Sequence, residues 1–89
     1  MNCQGKNQMR VVAIITIENG EFSDWLTFFE SYSDERHKFV CNEVIKCLDL
    51  HKAEVSFDVT DLDGLMALSA REDILSCEKK LGLSTEISQ

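Results

Sequence analysis

Three side chains that can exchange a proton are the first candidates for catalysis: His37, Tyr32 and Asp58. The imidazole of His37 titrates near neutral pH, so it can act as a general base or hold a ligand. Asp58 shares one face of a strand-like segment with Glu54. Two carboxylates crowded into a partly buried cavity can acquire raised pKa values and carry protons. The structural alternatives are an exposed histidine at a helix end and a strand face that meets water.

Four further residues are candidates for lining a ligand pocket. Trp25 and Phe29 belong to an aromatic stripe that can hold a flat apolar ligand. Glu54 and Ser56 alternate with apolar residues and therefore lie on one face of the same strand. The alternative for the aromatic stripe is an ordinary hydrophobic core, in which the hydroxyl of Tyr32 needs a hydrogen-bond partner.

Signatures of several other chemistries are missing from the sequence. It contains no phosphate-binding glycine loop, no recognisable Ser-His-Asp arrangement and no metal-ligand spacing. Cys41 and Cys47 would lie about 20 Å apart on one continuous strand, so they cannot hold a metal ion together. The four cysteines include no C-x-x-C pair, and we expect free, mostly buried thiols in a reducing compartment. We therefore expect no metal ion and no cofactor.

The composition predicts one small domain and argues against several classes of partner. The chain has 89 residues, of which 44% are hydrophobic and 28% are charged, and this length allows one modest core. A net charge of −7 makes nucleic acid and anionic membranes unfavourable partners. The sequence has no long apolar run and no pattern typical of a signal peptide, so we expect a cytoplasmic protein. We expect residues 1–9 to form a disordered leader and residues 10–89 a single domain.

The first predicted strand, at about residues 10–18, is apolar on both faces. Its segment "VVAIITI" (residues 11–17) lacks the alternation of apolar and polar residues expected of a strand with one face in water. Val12 and Ile14 on the second face would each lose roughly 1.5–3 kcal/mol of burial if they stayed exposed. A second copy of the chain is the simplest cover, so we expect a homodimer.

The first predicted helix should position the aromatic stripe. Ser23 is its expected N-cap, because a serine hydroxyl can accept a hydrogen bond from a free backbone N–H. The aromatic residues then recur at the spacing of one helical face, and the helix is expected to end near His37 or Lys38.

A second helical region is predicted after the third strand, with Thr60 as its expected N-cap. It should break near residues 69–71 and end at Gly82. Gly64 inside this region costs about 1 kcal/mol relative to alanine, which indicates either close packing at that point or a short, weak first turn.

The complete order of predicted elements is β-α-β-β-α-β. The remaining strands are an imperfectly alternating one at 39–50, a cleanly alternating one at 52–59 and a short one at 84–88. This order predicts the ferredoxin-like α+β fold, in which a four-stranded antiparallel sheet carries both helical regions on one face.

Three segments give the chain a resemblance to the dimeric α+β barrel superfamily: "ITIENGEF" (15–22), "DWLTFFESYS" (24–33) and "TDLDGLMALSAREDILSCEKKLG" (60–82). The third is similar to a segment of the antibiotic-biosynthesis-monooxygenase-like branch. Small uncharacterised families of the same build look similar in length and in the brief last strand. The resemblance implies a homodimer in which the sheets of the two copies pack against each other. Its motifs are packing patterns and do not specify one function.

Two functions stay open: the first rests on the predicted fold and the missing catalytic signature, and the second rests on the resemblance. One is a cytoplasmic homodimer that binds a small molecule or a protein partner, without an assigned reaction. The other is a cofactor-independent monooxygenase-like enzyme acting on a small aromatic or quinone-like substrate. Oxygenases of this superfamily typically use an asparagine and a tryptophan around the pocket, and this chain departs from that pattern: its one tryptophan, Trp25, lies on the first predicted helix, and Asn42 is the only asparagine in a predicted strand. Haem-degrading relatives use a histidine on the second helical region, and residues 60–82 contain none.

Overall fold

A computed structural model describes residues 9–88 of the protein as four strands and four helices. In chain order they are β1 (Met9–Ile17), α1 (Phe22–Glu30), α2 (Ser33–Arg36), β2 (Val40–Asp49), β3 (Lys52–Val59), α3 (Leu62–Ser69), α4 (Glu72–Leu81) and β4 (Leu83–Ser88). The predicted β-α-β-β-α-β order is confirmed, with each helical region divided into two helices. Of the predicted leader, residues 1–8 lie outside the described residues, and Met9 already belongs to β1.

The four strands form one antiparallel sheet in the order β2-β3-β1-β4. Ala13 lies opposite Val55 and Ile15 lies opposite Ala53, so the apolar residues of the two central strands share one face. Trp25 of α1 packs on this face as part of the main core. The ferredoxin-like α+β fold expected from the sequence is therefore confirmed.

The second face of β1 is less well covered. Val12 and Ile14 are only partly buried on this face. Ile14 lies between Glu54 of β3 and Glu86 of β4 in the sheet. An apolar side chain thus occupies the middle of a face whose neighbouring strands carry polar residues.

The predicted N-cap of the first helix is wrong by two residues. Glu21 is the N-cap, and its backbone N–H donates to the carboxylate of Asp24 at 2.9 Å. Ser23 lies inside α1, where its carbonyl accepts a hydrogen bond from the Thr27 hydroxyl. The side chain of Asp24 fixes the start of α1, because it accepts a hydrogen bond from the backbone N–H of Glu21, which would otherwise have no partner.

The first helical region also ends differently from the prediction, since α1 stops at Glu30 and does not continue to His37. The hydroxyl of Ser31 donates to the carbonyl of Phe28 at 2.5 Å, which satisfies one carbonyl near the end of α1. The chain then turns and forms the short helix α2. This turn directs Arg36 back toward α1.

Asp61, not Thr60, caps α3, because its carboxylate accepts from the backbone N–H of Gly64 at 3.0 Å. The predicted break between the two later helices is confirmed at residues 70–71. The predicted end of α4 at Gly82 is also confirmed. Gly82 adopts the left-handed conformation, with φ +63°, that favours glycine at this position.

The prediction of free, mostly buried thiols is right for the described cysteines only in that two of them are free. Cys47 and Cys77 are free but exposed, and Cys41 is disulfide-bonded. Cys47 lies on the edge strand β2, and Cys77 lies on an exposed side of α4, so neither has a second layer of structure over it. Cys3 lies outside the described residues. None of the helices within residues 9–88 combines the length and apolar character needed to cross a membrane.

Replacing Gly64 by alanine is expected to lower the free energy of unfolding by about 1–3 kcal/mol, the usual cost of overpacking. A Cβ atom at this position would lie 2.4 Å from two ring carbons of Phe39. This clash outweighs the gain of about 1 kcal/mol in helix propensity. Urea denaturation measures the change.

Two control variants separate the clash from helix propensity. Ala67→Gly, on an exposed turn of the same helix, reports propensity alone and should cost about 1 kcal/mol. In a Phe39→Ala background the Gly64→Ala change should become neutral or stabilising. A stabilising Gly64→Ala change in the native background would show that no steric conflict exists.

Candidate functional site

A cavity of about 180 Å³ lies between the helices and the sheet. Trp25, Phe29 and Tyr32 form its aromatic wall, and the central strands form the opposite wall. The rings of Trp25 and Phe29 stack, with 4.8 Å between their centroids and 19° between their planes. Phe29 and Tyr32 meet edge to face, with centroids 5.7 Å apart. The stacked and edge-on rings give a preformed surface for a flat molecule.

Arg36 is a fully enclosed cation at one side of this cavity. It is 3% exposed, and among the described residues it is the only charged one that is buried. Its guanidinium binds Glu43 through two hydrogen bonds, Nε to Oε2 at 2.7 Å and Nη2 to Oε1 at 3.0 Å. Its Nη1 donates to the Phe29 carbonyl at 2.5 Å. The guanidinium carbon also lies 3.5 Å from the centroid of the Phe29 ring. These contacts fix the cation in place by charge, hydrogen bonding and ring stacking.

A bulge in β2 aims Glu43 at this arginine. The pairing of β2 with β3 shifts between Cys41 and Val44, and Asn42 adopts a positive φ of 54°. Val44 lies opposite Ser56 on the sheet face away from the helices. Glu43, its neighbour, therefore points toward the helices. Bulges commonly redirect a side chain in this way.

The surroundings of Glu43 hold its carboxylate in the ionised form. Burial acts to raise its pKa, but the hydrogen bonds and the charge of Arg36, with a smaller contribution from His37, lower the pKa below the ordinary value of a glutamate. Glu43 Oε1 lies 3.2 Å from Nε2 of His37. The pair of Glu43 and Arg36 is thus a stable support for the cavity wall, not a source of protons.

Burial raises the pKa of two other groups on the cavity wall. Burial raises the pKa of Tyr32 to about 12, so its hydroxyl stays protonated at neutral pH. Burial also raises the pKa of Glu78, which lies on α4 and lines the same cavity. The protonated hydroxyl of Tyr32 can donate a hydrogen bond to a ligand oxygen.

Three of the predicted site residues come together here, because Trp25, Phe29 and Tyr32 all line the cavity. His37 does not line it. The side chain of His37 is half exposed and lies on the outer side of Glu43. His37 therefore contacts the cavity wall indirectly, through the Glu43 carboxylate that binds Arg36.

The other three predicted residues lie on the opposite face of the sheet. Ser56 accepts a hydrogen bond from Arg10 at 3.0 Å, and Asp58 accepts one from Asn42 at 2.9 Å. Glu54 forms a longer ion pair with Lys46, at 3.8 Å. The sheet separates these groups from the aromatic cavity, so the two sets of predicted residues cannot act on one small ligand within one chain.

Sequence reasoning missed two polar residues of the cavity, Arg36 and Glu78. Both occupy positions on apolar helical stripes, and this spacing was a usable signal. Arg36 follows Phe29 and Tyr32 at intervals of seven and four residues, and Glu78 lies four residues after the buried Ile74. A charged residue at such a position points toward the core and must find a partner there.

The fold and this cavity define a ferredoxin-like α+β protein with a small aromatic-walled pocket. Among solved structures, it is similar to SnoaB, a cofactor-independent oxygenase from Streptomyces nogalater, with 13% identity and a TM-score of 0.64 over 91% of this chain and 88% of that chain. It is also similar to protein YJCS, with 10% identity and a TM-score of 0.67 over 93% and 98% of the two chains.

A third similar structure is Atu4242 from Agrobacterium tumefaciens, with 16% identity and a TM-score of 0.51 over 91% and 92% of the two chains. Neither a known protein family nor a curated protein matches the sequence. At these identities the solved structures share the fold with this chain, and it is the fold expected from the resemblance to the dimeric α+β barrel superfamily.

Proposed function

We propose that this protein is a homodimer that binds a small, flat, largely apolar molecule in the cavity between its helices and its sheet. The observation that carries the proposal is the cavity itself. It places the stacked rings of Trp25 and Phe29 beside two polar groups, the hydroxyl of Tyr32 and the carboxyl group of Glu78. A mostly apolar pocket with a few convergent polar groups is the usual form of a small-molecule site.

The size and chemistry of the cavity narrow the class of ligand. Its volume of about 180 Å³ is below the 300–1,000 Å³ typical of sites for drug-sized molecules, so the ligand should have one or two fused rings. The protonated hydroxyl of Tyr32 can donate a hydrogen bond, which suits a carbonyl or quinone oxygen. The ligand proposed here is therefore a small aromatic compound with an oxygen acceptor.

The homodimer in this proposal would use the sheet face opposite the helices. Val12 and Ile14 are partly exposed there, and Val44 of β2 lies on the same face with 43% of its surface exposed. Two copies of this face can bury these side chains against each other. Glu54, Ser56 and Asp58 would then lie at the contact between the sheets. A cytoplasmic location stays a prediction of the sequence.

A cofactor-independent oxygenase is the alternative function, and one observation favours it. SnoaB, described as such an oxygenase, shares this fold, and the cavity here contains a tyrosine and a carboxyl group with a raised pKa. In this alternative Glu78 accepts a proton from a phenolic substrate and Tyr32 holds the substrate oxygen. Oxygen uptake with reduced naphthoquinone, above the rate without protein and lost in Glu78→Gln, would favour it over binding alone.

The binding proposal is tested by titration with 1,4-naphthoquinone, which quenches tryptophan emission. Trp25 is the single tryptophan of the chain and is 2% exposed, so its emission reports on the cavity. We expect saturable quenching. Tyr32→Phe should weaken binding about two- to tenfold, because one hydrogen bond is lost.

Ser23→Ala is the matched control, since it removes a hydroxyl from an exposed position on α1. It should leave the dissociation constant unchanged. Quenching that rises linearly without saturation, as it does for free tryptophan in solution, would contradict the proposed cavity site.

A further inference from the structure

A second, larger apolar space lies beside the cavity. This groove has a volume of about 630 Å³ and borders α3 and the first residues of β1. Phe57, Leu65, Ser69 and Ile87 line both the groove and the inner cavity. The two spaces are therefore neighbours, separated only by side chains that belong to both.

The groove is unusually apolar for a surface of this protein. Four of its bordering side chains are large, hydrophobic and exposed: Leu62, Met66, Leu75 and Ile87. None of its described lining residues is an aspartate, glutamate, lysine or arginine, although 28% of the chain is charged. A contiguous exposed apolar surface of this kind indicates a binding site for an apolar group.

We propose that the groove receives the aliphatic tail of the ligand whose aromatic head occupies the inner cavity. This inference rests on the proposed function and extends it, because it assigns the ligand to the class of aromatic amphiphiles. The shared lining residues carry the inference, since only their side chains separate the two spaces and a ligand that displaces these side chains can fill both.

A second copy of the chain fits the groove less well than a tail does. The groove lies on the helix side of the sheet, where Val11 and Val59 face. The partly exposed Val12 and Ile14 lie on the opposite face. Sheet-to-sheet pairing would therefore leave the groove open in each protomer.

The test compares naphthoquinones without a tail and with butyl, hexyl or octyl chains, using the quenching of Trp25. Each buried methylene should tighten binding about two- to fourfold until the groove is filled. The octyl compound should then bind at least about 50-fold more tightly than the parent compound.

Met66→Glu places a charge in the groove without touching the inner cavity, because Met66 lines the groove alone. It should leave binding of the tailless compound within about twofold and reduce the advantage of the octyl compound at least about tenfold. Leu50→Glu is the matched control: Leu50 is 57% exposed and Met66 is 61% exposed, but Leu50 lies in the turn between β2 and β3. Leu50→Glu should change neither the affinity for the tailless compound nor the advantage of the octyl compound.

The possible outcomes distinguish the two proposals. Binding of the parent compound with no gain from a tail would overturn the tail site and leave the inner site standing. Binding of tailed compounds alone, sensitive to Met66→Glu, would support the groove and overturn the inner site. No binding of any compound would overturn both. If Met66→Glu lowers the mass of the particle in solution, the groove is a contact between copies and the tail site is wrong.

Discussion

Arg36→Ala is expected to lower the free energy of unfolding at pH 7 by about 3–5 kcal/mol, the typical cost of removing one partner of a buried ion pair. The change leaves the Glu43 carboxylate without its bidentate partner and the Phe29 carbonyl without its donor. It also removes the planar group that covers the Phe29 ring. Small domains have only about 5–15 kcal/mol of stability in total, so urea denaturation should show a large loss.

Two variants test whether the loss comes from the unpaired carboxylate. In Arg36→Met/Glu43→Gln neither charge remains, and most of the stability should return. Arg71→Ala removes an arginine that also binds carboxylates, those of Glu35 and Asp73, but does so at an exposed site. It should change stability far less, because solvent screens exposed pairs. Equal losses in Arg36→Ala and Arg71→Ala would show that burial is not the cause.

The effect of Arg36→Ala should also depend on pH. The folded state lowers the pKa of Glu43, so this group stabilises the protein above the unfolded pKa of about 4.3 and stops doing so as the pH falls through the folded value. In Arg36→Ala, Glu43 loses the hydrogen bonds and the positive charge that favour its ionised form. The difference in stability between the native protein and the variant should therefore shrink between neutral and acidic pH.

Ile14→Asp is expected to convert the proposed homodimer into monomers at micromolar concentration. The new carboxylate would be buried between sheets, at a cost of about 1–3 kcal/mol in each copy, which corresponds to at least about 30-fold in the dissociation constant. It would also stand between Glu54 and Glu86, its neighbours on the two flanking strands. Repulsion among three acidic groups increases the effect. Light scattering or sedimentation equilibrium measures the mass.

Conservative and remote substitutions provide the controls for this experiment. Ile14→Val keeps an apolar side chain and should preserve the dimer. Leu50→Asp places the same charge on the exposed turn between β2 and β3 and should also preserve it. A native protein that is monomeric at micromolar concentration would remove the basis for the dimer, and an Ile14→Asp variant that stays dimeric would show that another surface forms it.

The sheet shows which parts of the fold can be predicted from sequence. β3 spans Lys52–Val59, as predicted, because its apolar and polar residues alternate without interruption. The alternation of β2 is imperfect for a physical reason: the bulge at Asn42 changes which face the later residues occupy. A pattern with period two cannot reveal where such a shift occurs, since the pairing with β3 determines it.

The positions of the aromatic residues of the candidate site were predictable from the sequence, whereas the partner of the charged residue Arg36 was not. Trp25, Phe29 and Tyr32 repeat on one helical face, so their convergence follows from local geometry. The partner of Arg36 comes from another strand, and its direction depends on the bulge before Glu43. Glu43 lies only seven residues after Arg36, but the bulge depends on the pairing of β2 with β3, for which a single sequence has no local signal. The raised pKa of Glu78 likewise results from burial by elements distant in the chain.

The bulge at Asn42 also has a consequence for how this strand tolerates changes of length. Val40 and Ile45 both oppose core residues of β3, Val59 and Val55, although an uninterrupted strand would place residues five apart on opposite sides. Loss of the residue at 42 should therefore leave both flanking halves in their present orientation. A one-residue insertion or deletion in a regularly paired part of β2, away from this bulge and from the second register shift between Cys47 and Asp49, would move the following side chains to the opposite face of the sheet. Homologues with a second strand shorter by one residue are expected to have their gap at one of these two irregularities.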